Sequence, residues 1–574
     1  MSNLQIKQRP VTSPSINGLS RVMSRILSAR GVHNAQTLDY SLKNLLLPEG
    51  LSHIAAAADL LAEAVTAGAS IVIVGDFDAD GATSCALAVR CLKAFGMQDV
   101  SYMVPNRFEY GYGLSPQIVG DAAMRQPDIV VTVDNGISSI DGVHAAQALG
   151  MSVLVTDHHL PGEELPTADV IVNPNLPGDR FASKNLAGVG VIFYVMLATR
   201  ARLRQMGWFA DANIAEPNMS QFLDLVALGT VADVVPLDQN NRILVQQGMQ
   251  RIRNGHACAG IQALLTIGKR NPLRLSASDL GFAVGPRLNA AGRMDDMSVG
   301  IECLLSDSFE HAMTLATELD ELNRERRAVE GSMQQDALAI VEKISIADDE
   351  VPSVYVLADE TWHQGVVGLV ASRIKDRVHR PVVALAPGDG ENEWKASCRS
   401  VEGVHIRDVL ARLDALHPGL MTKFGGHAMA AGLSLDSKNL EKFKQALLST
   451  MDSMTQGHDW SQVLWTDGEL EPHELNMELA EELRQSSPWG QGFPEPVFDG
   501  VFDVVESRVV GDTHAKLRLT PVGSDQVIDG ICFGYLNHHA ELPIGQVRLA
   551  YRLDINEFRD RLTLQLMIQH VDQL

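Results

Sequence analysis

Acidic residues and histidines gather at four places in the sequence, and at three of these places they follow directly on a short apolar run. The four segments are Gly75-Asp76-Phe77-Asp78-Ala79-Asp80-Gly81, Val133-Asp134-Asn135-Gly136, Thr156-Asp157-His158-His159 and Ala232-Asp233. An apolar run that stops at Asp or Gly predicts a buried parallel strand that reaches its carboxyl end. Open α/β sheets bind their ligands at that edge. We therefore expect these oxygen and imidazole donors to meet there and to hold two divalent cations for phosphoester hydrolysis.

The first segment presents Asp76, Asp78 and Asp80 in alternation. An extended chain would place all three on one face, but Gly81 permits a sharp turn, and at a turn that inference weakens. A calcium-binding loop is excluded because its twelfth position requires glutamate, and counting from Asp76 that position is Leu87. A solvated acidic turn remains the alternative for this segment by itself.

The Asp157-His158-His159 segment is the most informative one. Adjacent histidines after a buried strand point in different directions, so that one can bind metal while the other faces the scissile phosphate. A histidine is more commonly a satisfied core or surface residue, but here separate segments deliver the same donors to the same predicted edge. Hydrolysis by metal-activated water needs no nucleophilic side chain. The sequence accordingly contains no G-x-S-x-G segment and no Walker A segment.

Strands and helices alternate from about residue 51 to residue 172, which predicts a mostly parallel sheet covered on both faces. The pattern then becomes helical, and a long polar amphipathic stretch from about 308 to 344 predicts a connector helix. A second α/β unit follows. From about residue 497 five predicted strands fit a small barrel such as an OB-fold, a frequent platform for single-stranded nucleic acid. Because this barrel is acidic and poor in aromatic residues, a scaffold or protein-contact role is the alternative.

The predicted fold class is therefore α/β, with two α/β domains joined by a long helix and followed by a C-terminal β-barrel. The predicted domains are a loosely docked N-terminal arm at 1–45, a catalytic domain with a helical part at 46–307, the connector helix at 308–346, a second α/β domain at 347–456 and the barrel domain at 457–574.

Composition sets limits on function. A chain of 574 residues is too long for one core. The formal net charge of −24 speaks against a general nucleic-acid coat, but not against a nuclease whose metal ions offset its carboxylates. The six cysteines form no C-x-x-C pair, which fits a reducing cytoplasm. No apolar run resembles a signal peptide or a membrane span, so we expect a cytoplasmic protein without a membrane partner.

These segments resemble the four successive motifs of the DHH phosphoesterase family, named for residues such as Asp157-His158-His159, and the resemblance covers nearly the whole chain. Three further segments are similar to the RecJ branch of that family, to the DHHA1 domain and to the lead-in of the RecJ OB-fold, respectively. They are Gly285-Pro286-Arg287-Leu288-Asn289-Ala290-Ala291-Gly292-Arg293, Gly425-Gly426-His427-Ala428-Met429-Ala430-Ala431-Gly432 and Trp489-Gly490-Gln491-Gly492-Phe493-Pro494-Glu495-Pro496.

The resemblance implies an exonuclease that degrades single-stranded DNA from its 5′ end to mononucleotides in DNA repair and recombination. It implies two ions of Mg²⁺ or Mn²⁺ as cofactors, and a single-strand-binding protein and a helicase as partners. The implied metal ligands are Asp78, Asp80, Asp134, His158 and Asp233, with Asp76 as a further candidate. Asp134 would bridge the ions, His159 would contact the phosphate near the leaving group, and Asp157 would orient its neighbours.

The resemblance also implies a path for the substrate. His427, with the backbone amides of Gly425 and Gly426, would grip a phosphate, and Arg373 would reach another. Arg287, Asn289 and Arg293 would line the strand's path, although each is equally consistent with a structural loop. A cleft between the two α/β domains would admit one strand and exclude a duplex.

Three alternatives stay open at this point. Related DHH enzymes hydrolyse short oligoribonucleotides, 3′-phosphoadenosine phosphate or cyclic dinucleotides, but the extra barrel and the segment from Gly285 to Arg293 argue against these substrates. A binding module without catalysis would have lost its ligand residues, whereas this chain keeps all the expected donors. An interaction protein built on its acidic exterior would not explain why the donors cluster.

Overall fold

The computed structural model describes residues 4–12, 15–105, 113–347, 351–388, 390, 392–537, 539–558 and 561–574. The predicted boundary at Asp348, Asp349 and Glu350 lies outside the described residues. The chain divides into two compact units. The larger unit comprises 6–289, 297–317 and 464–574, and the smaller unit comprises 1–5, 290–296 and 318–463.

A parallel five-stranded sheet forms the centre of the larger unit. In spatial order its strands are Val100–Met103, Ile71–Gly75, Ile129–Val133, Ser152–Thr156 and Val170–Val172. The two central apolar strands are fully buried, as expected when helices cover both faces of a parallel sheet. Gly75 pairs with Val133 and Val133 with Thr156, so the acidic segments that follow these strands start at one edge.

Helices surround this sheet and build the helical part of the larger unit. Their bounds are Ile54–Ala67, Ala79–Ala94, Pro116–Ala123, Ile140–Ala148, Gly188–Gln205, Trp208–Asp211, Leu223–Ala232, Gln239–Arg253, Ala259–Ile267, Ala277–Asp279, Gly285–Met294 and Ser298–Leu305. A further helix of the larger unit, Met477–Ser486, contacts the C-terminal strands Gly545–Phe558 and Arg561–Gln573. The helix that follows the first acidic segment begins at Ala79, because the Asp78 side chain caps it. A π-helical turn, Leu280–Val284, precedes Gly285–Met294.

The predicted connector is a single helix, Phe309–Ala347. In the smaller unit a mixed five-stranded sheet follows, in the order Lys423–Gly426, Ala430–Asp436, Glu393–Arg399, Val382–Pro387 and Tyr355–Ala358. The helices of this unit are Val367–Val378, Ile406–Leu416 and Leu440–Met454. The strand Glu393–Arg399 and the helix Ile406–Leu416 were not predicted from the sequence.

The C-terminal residues form a closed five-stranded barrel. Its strands are Phe498–Val510, His514–Pro521, Ile528–Cys532, Gly545–Phe558 and Arg561–Gln573. The barrel closes because Ile528–Cys532 pairs in parallel with Arg561–Gln573, while its other neighbouring pairs are antiparallel. The predicted barrel is thus confirmed.

The N-terminal residues of the larger unit are firmly attached to it, so the prediction of a loosely docked arm is wrong for them. The helix Arg21–Ser28 buries most of its residues. Beyond it, Arg30 forms an ion pair with Asp467, 2.6 Å between Nη1 and Oδ1, and the two side chains are 1% and 0% exposed. Arg30 also donates from Nε to the Pro494 carbonyl at 2.7 Å.

Among the described residues no single helix is long and apolar enough to cross a membrane, and one bent pair, Leu42–Gly50 with Ile54–Ala67, has the length and composition to do so.

Candidate metal centre

Six side chains converge at the carboxyl edge of the parallel sheet, and we call them the acid–histidine cluster. They are Asp76, Asp78, Asp80, Asp134, His158 and Asp233. Their potential ligand atoms form overlapping groups, each with its atoms within 4.8 Å of one another: Asp76, Asp78 and Asp134 in one, and Asp80, His158 and Asp233 in another. Asp134 and His158 also form a group with His159. Four segments distant in sequence therefore meet as predicted.

His158 lies at the centre of the cluster. Its Nε2 atom is 3.1 Å from Asp134 Oδ1, 3.5 Å from Asp233 Oδ2 and 4.0 Å from Asp80 Oδ2. One imidazole nitrogen thus faces three carboxylates, an arrangement of mixed oxygen and nitrogen donors that suits divalent transition metals as well as Mg²⁺.

The turn from Asp76 to Asp80 distributes its carboxylates instead of aligning them on one face. Asp78 Oδ1 accepts hydrogen bonds from the amides of Asp80 at 2.9 Å and Gly81 at 3.0 Å, which starts the helix Ala79–Ala94. Asp80 lies in the first turn of that helix and accepts from the amides of Gly188 at 2.6 Å and Val189 at 3.0 Å. These amides begin the helix Gly188–Gln205, whose N-terminal partial charge favours the carboxylate.

Asp134 is held in an unusual backbone conformation against a glycine. Its φ of +61° lies in the left-handed region, which is rare for residues other than glycine and concentrates at functional sites. A Cβ atom at Gly188 would lie 2.6 Å from Asp134 Cβ and 2.7 Å from its Oδ1. Glycine at 188 therefore permits the close approach of helix and carboxylate.

Asp157 organises the paired histidines without joining the cluster itself. Its Oδ1 accepts from the amides of His158 at 2.7 Å and His159 at 3.1 Å and lies 2.8 Å from His159 Nδ1. Its Oδ2 accepts from the Ile137 amide at 3.0 Å. The side chain of Asn175 donates to the His158 carbonyl at 2.6 Å and completes the support of this turn.

Burial and mutual repulsion shift the acid–base properties of the cluster. Burial, together with the charge of Asp78, raises the pKa of Asp80 to about 7. Burial and the neighbouring carboxylates raise the pKa values of Asp134 and Asp233 well above their usual range. Carboxylates crowded in this way cannot all ionise unless cations accompany them. The donor set therefore fits divalent metal ions.

The histidines are shifted in opposite directions. Burial, and then the charge of His159, lowers the pKa of His158 to about 4, which leaves its imidazole neutral and able to act as a ligand. Burial alone would lower the pKa of His159, but its hydrogen bond and ion pair with Asp157 raise it overall. The same contacts lower the pKa of Asp157 although burial opposes them.

The larger unit contains two of the residues predicted to line the path of the substrate. Asn289 Oδ1 accepts from the Ala79 amide at 2.8 Å, directly beside the turn of the acid–histidine cluster. The Arg287 Nη1 atom donates to the carbonyl of Ala283 within its own helical segment. Asn289 is thus adjacent to the cluster, whereas this hydrogen bond of Arg287 is local.

The smaller unit contains the other predicted substrate residues. Arg293 Nη1 donates to the Gly365 carbonyl at 3.2 Å, and Arg373 Nε lies 3.1 Å from Glu330 Oε1. Gly425 and Gly426 end the strand Lys423–Gly426, and the exposed His427 follows, with its amide donating to the Ala430 carbonyl at 2.7 Å.

Three candidate functional residues of the smaller unit were missed in the sequence. In the strand Glu393–Arg399, Lys395, Ser397 and Arg399 alternate with buried residues and share the other face. Ser397 pairs with Gly432, which pairs with Gly425, and Arg399 pairs with Ala430 beside His427. The sequence signal that could have identified them is the alternation of Lys395, Ser397 and Arg399 with the less polar residues between them, which is typical of a strand with one buried face.

Three family models match the chain. The DHH family, N-terminal domain, matches residues 70–230, the DHHA1 domain matches residues 350–453, and the RecJ OB domain matches residues 466–570. The first of these ranges contains every member of the acid–histidine cluster except Asp233.

Known proteins resemble the chain over nearly its full length. It is 51% identical over 569 residues to the single-stranded-DNA-specific exonuclease RecJ of Dickeya dadantii, and 51% identical over 578 residues to that of Escherichia coli, with 99% of each chain covered in both cases. A crystal structure of RecJ in complex with Mn²⁺ from Thermus thermophilus is 29% identical, with a TM-score of 0.79, over 97% of this chain and 76% of that chain. A structure of the same protein with Mg²⁺ has a TM-score of 0.73 at 28% identity, over 97% of this chain and 75% of that chain.

Proposed function

Because the chain belongs to the RecJ family of single-stranded-DNA-specific exonucleases, we propose that its acid–histidine cluster is the centre that hydrolyses the phosphodiester bonds of single-stranded DNA. The chain is a phosphodiester hydrolase specific for single strands. One observation carries the assignment of the site: donors from four segments meet at the ligand-binding edge of a parallel sheet, in groups of three whose ligand atoms lie within 4.8 Å of one another.

The cofactor is Mg²⁺ or Mn²⁺. When bound, two such ions lower the pKa of a water molecule and neutralise charge on the phosphoryl oxygens. We propose Asp76, Asp78, Asp80, Asp134, His158 and Asp233 as the ligands. Asp134 would bridge the two ions, because it forms one group with Asp76 and Asp78 and another with His158 and His159.

His159 has a different proposed role. Its side chain is 38% exposed, more than that of His158 at 13%, so it is available to a substrate phosphate. Asp157 holds Nδ1 of this ring at 2.8 Å and so fixes the orientation in which the ring meets a phosphate oxygen near the leaving group. Asp157 thus acts by positioning its neighbours and not as a metal ligand.

Residues outside the cluster are proposed to hold the strand. In the larger unit these are Arg287 and Asn289. In the smaller unit they are Arg293, Arg373, Gly425, Gly426 and His427, joined by Lys395, Ser397 and Arg399. The exposed glycines have no side chains to shield their backbone from phosphate oxygens, and the cations compensate the charge of the DNA backbone.

We further propose the domain limits given by the sequence, namely 1–45, 46–307, 308–346, 347–456 and 457–574, which the family matches at 70–230, 350–453 and 466–570 support. Digestion from the 5′ end to mononucleotides, action in DNA repair and recombination in the cytoplasm, and cooperation with a single-strand-binding protein and a helicase are proposals from the family resemblance.

The proposal is tested with end-labelled DNA and the variant Asp134→Asn. Asparagine tolerates the left-handed conformation of this position, so the fold survives while a ligand is weakened. We expect the wild type to digest long single strands with Mn²⁺, to be inactive with a chelator, and to spare blunt duplex and dinucleotides. Turnover of Asp134→Asn should fall by more than about 100-fold, because even residues that only support metal ligands are worth 10- to 100-fold.

The matched control is Asp128→Asn. Asp128 precedes the same strand, Ile129–Val133, at its opposite end, and its side chain accepts from the Ser70 amide at 2.8 Å. This variant should digest DNA like the wild type. Full activity of Asp134→Asn, or equal loss in both variants, contradicts the assignment of the centre.

A further inference from the structure

A cleft of about 260 Å³ opens in the larger unit beside the barrel strand Gly545–Phe558. Leu483 and Pro496 contribute buried apolar walls. Arg270, Arg484 and Arg552 add guanidinium groups, and Phe282 adds an aromatic ring. The cleft therefore combines apolar surface with hydrogen-bond donors, a combination typical of ligand sites.

The side chain of Phe282 is exposed to solvent and is not packed in the core. It is 77% exposed, and it lies on the π-helical turn Leu280–Val284. Single π-helical turns insert an extra residue into a helix and occur frequently at functional sites. The extra residue turns this ring out to the cleft while Leu280 and Val284 remain buried.

The arginines of the cleft differ in their free hydrogen-bonding capacity. Arg552 is paired with Glu495, and Arg270 lies 3.4 Å from Asp279. Arg484 Nε is buried and has no hydrogen-bond partner among the residues that the structure describes. A buried donor without a partner calls for an explanation, and a bound anion supplies one.

Three cations on the barrel strands are already paired with carboxylates of the barrel. Lys516 lies 3.2 Å from Asp529, Arg518 lies 3.5 Å from Glu506, and Arg548 lies 2.7 Å from Asp499. These three cations must give up a carboxylate before they can bind a phosphate of DNA, whereas the buried Nε of Arg484 has no carboxylate to give up among the described residues.

The cleft is also connected to the acid–histidine cluster by a short stretch of helix. Phe282 precedes Asn289 by seven residues, which corresponds to about 10 Å along a helix. Asn289 in turn contacts the Ala79 amide beside the cluster. A single strand at the cluster can thus extend to Phe282 within a few nucleotides.

We propose that this cleft is an accessory binding site for a nucleotide of single-stranded DNA, with its base stacked on Phe282 and its phosphate bound by Arg484. The site rests on the proposed function, since it holds a strand whose end is at the metal centre. Base–aromatic stacking accepts every base, which matches a non-specific nuclease.

The first test measures binding of fluorescent oligo(dT) to the full chain in EDTA, so that no cleavage occurs. Phe282→Ala should weaken binding by about 5- to 100-fold, the range found for the loss of one stacked base. Arg484→Gln should reduce the slope of log affinity against log salt by about 0.7, the value for one phosphate contact on a single strand. In Phe282→Trp, oligo(dT) should quench the added indole emission.

Phe533→Ala is the matched control, because Phe533 is a 62% exposed phenylalanine on the barrel, where it contacts His514. It should bind oligo(dT) like the wild type. Unchanged binding by Phe282→Ala or an equal loss in Phe533→Ala overturns the proposal. So does an indole emission of the Phe282→Trp variant that responds to hexaglutamate and not to oligo(dT), a result in favour of a protein partner. If wild type with Mn²⁺ leaves single-stranded DNA intact, the proposed function itself has failed, which is a separate result.

Discussion

At the scale of single residues, the metal centre is defined by carboxylates whose negative charges repel one another. Asp80 and Asp134 are buried and Asp233 is half-buried. The charge of Asp80 helps to raise the pKa values of Asp134 and Asp233, and the charge of Asp233 helps to raise that of Asp134. Hydrogen bonds from Gly188 and Val189 only partly offset this for Asp80, since its pKa is still raised to about 7. The protein without metal therefore contains an electrostatic conflict that bound cations relieve.

This conflict predicts how the stability of the metal-free protein depends on pH. A carboxyl group whose pKa is raised on folding stabilises the fold below its unfolded pKa, and that contribution is lost as pH rises through the folded pKa. The raised pKa of Asp80 places its loss in a window between pH of about 4 and about 7. The contribution of Asp233 begins to be lost at the lower end of this window, because its pKa is raised from the same ordinary value. In EDTA, the Tm of Asp233→Asn relative to wild type should increase across this window.

Thermal unfolding in EDTA at several pH values measures this difference, and Mn²⁺ should raise the wild-type Tm most at the upper end of the window because only the folded state offers the site. A difference in Tm between variant and wild type that stays constant with pH contradicts the prediction.

The acidic turn shows what residue types alone can and cannot reveal. The sequence predicted the donors and their common edge, because apolar runs that stop at aspartate mark strand ends. It did not determine which of Asp76, Asp78 and Asp80 caps a helix and which accepts hydrogen bonds from a distant segment. That depends on hydrogen bonds to amides of Gly81 and Gly188, one local and one more than a hundred residues away.

At the scale of elements, the helix Gly188–Gln205 contributes as much as the strands to the positions of the carboxylates in the acid–histidine cluster. Its first amides bind Asp80, and its first residue contacts Asp134 through a bare Cα. The sequence does not reveal which side chains approach the first turn of this helix. Contacts of this kind depend on tertiary packing, which neither propensity nor periodicity encodes.

Gly188→Ala is predicted to disturb the centre while leaving the fold intact. The added methyl group would lie 2.6 Å from Asp134 Cβ, so Asp134 must move away from its metal-binding position. We expect Mn²⁺ affinity and turnover to fall by about 10- to 100-fold, as for other residues that position metal ligands. Calorimetric metal titration and single-strand digestion measure the two effects.

Gly120→Ala is the matched control, because Gly120 lies in the helix Pro116–Ala123 and a Cβ there has nothing within 4 Å. It should leave metal affinity unchanged. If Gly188→Ala binds Mn²⁺ as tightly as this control, the close approach at Gly188 does not position Asp134.

Elements that were predicted poorly share a physical cause. The strand Glu393–Arg399 carries charged or polar side chains at every second position, and no continuous apolar run announces it. Its buried residues Trp394, Ala396 and Cys398 become recognisable only with the neighbouring strands in place. By contrast, the helix Ile54–Ala67 and the strand Ile129–Val133 have strong apolar patterns, and both lie in the region where alternating strands and helices were predicted.

At the scale of the whole molecule, the larger unit is built from segments far apart in sequence. The ion pair of Arg30 with Asp467 joins the residues after the first helix to those before the barrel. Asp467 also accepts from the Val497 amide at 3.0 Å. The sequence did not reveal this link, because neither residue stands in an informative local pattern.

Asp467→Ala should be strongly destabilising. Removing one partner of a buried pair leaves an uncompensated charge and costs about 3–5 kcal/mol, whereas an exposed pair is worth less than about 1 kcal/mol. The exposed pair of Lys43 with Asp39 supplies the control, Lys43→Ala. Urea unfolding measures both, and similar effects of the two substitutions would show that the buried pair does not hold this part of the fold.

The same ion pair has a consequence for synthesis of the protein. The ribosome completes Arg30 437 residues before Asp467. At 5–20 residues per second this interval is roughly 20–90 s. During that time the Arg30 guanidinium has no Asp467 carboxylate to pair with, so the nascent chain must avoid aggregation with this ion pair unformed until Asp467 has been synthesised.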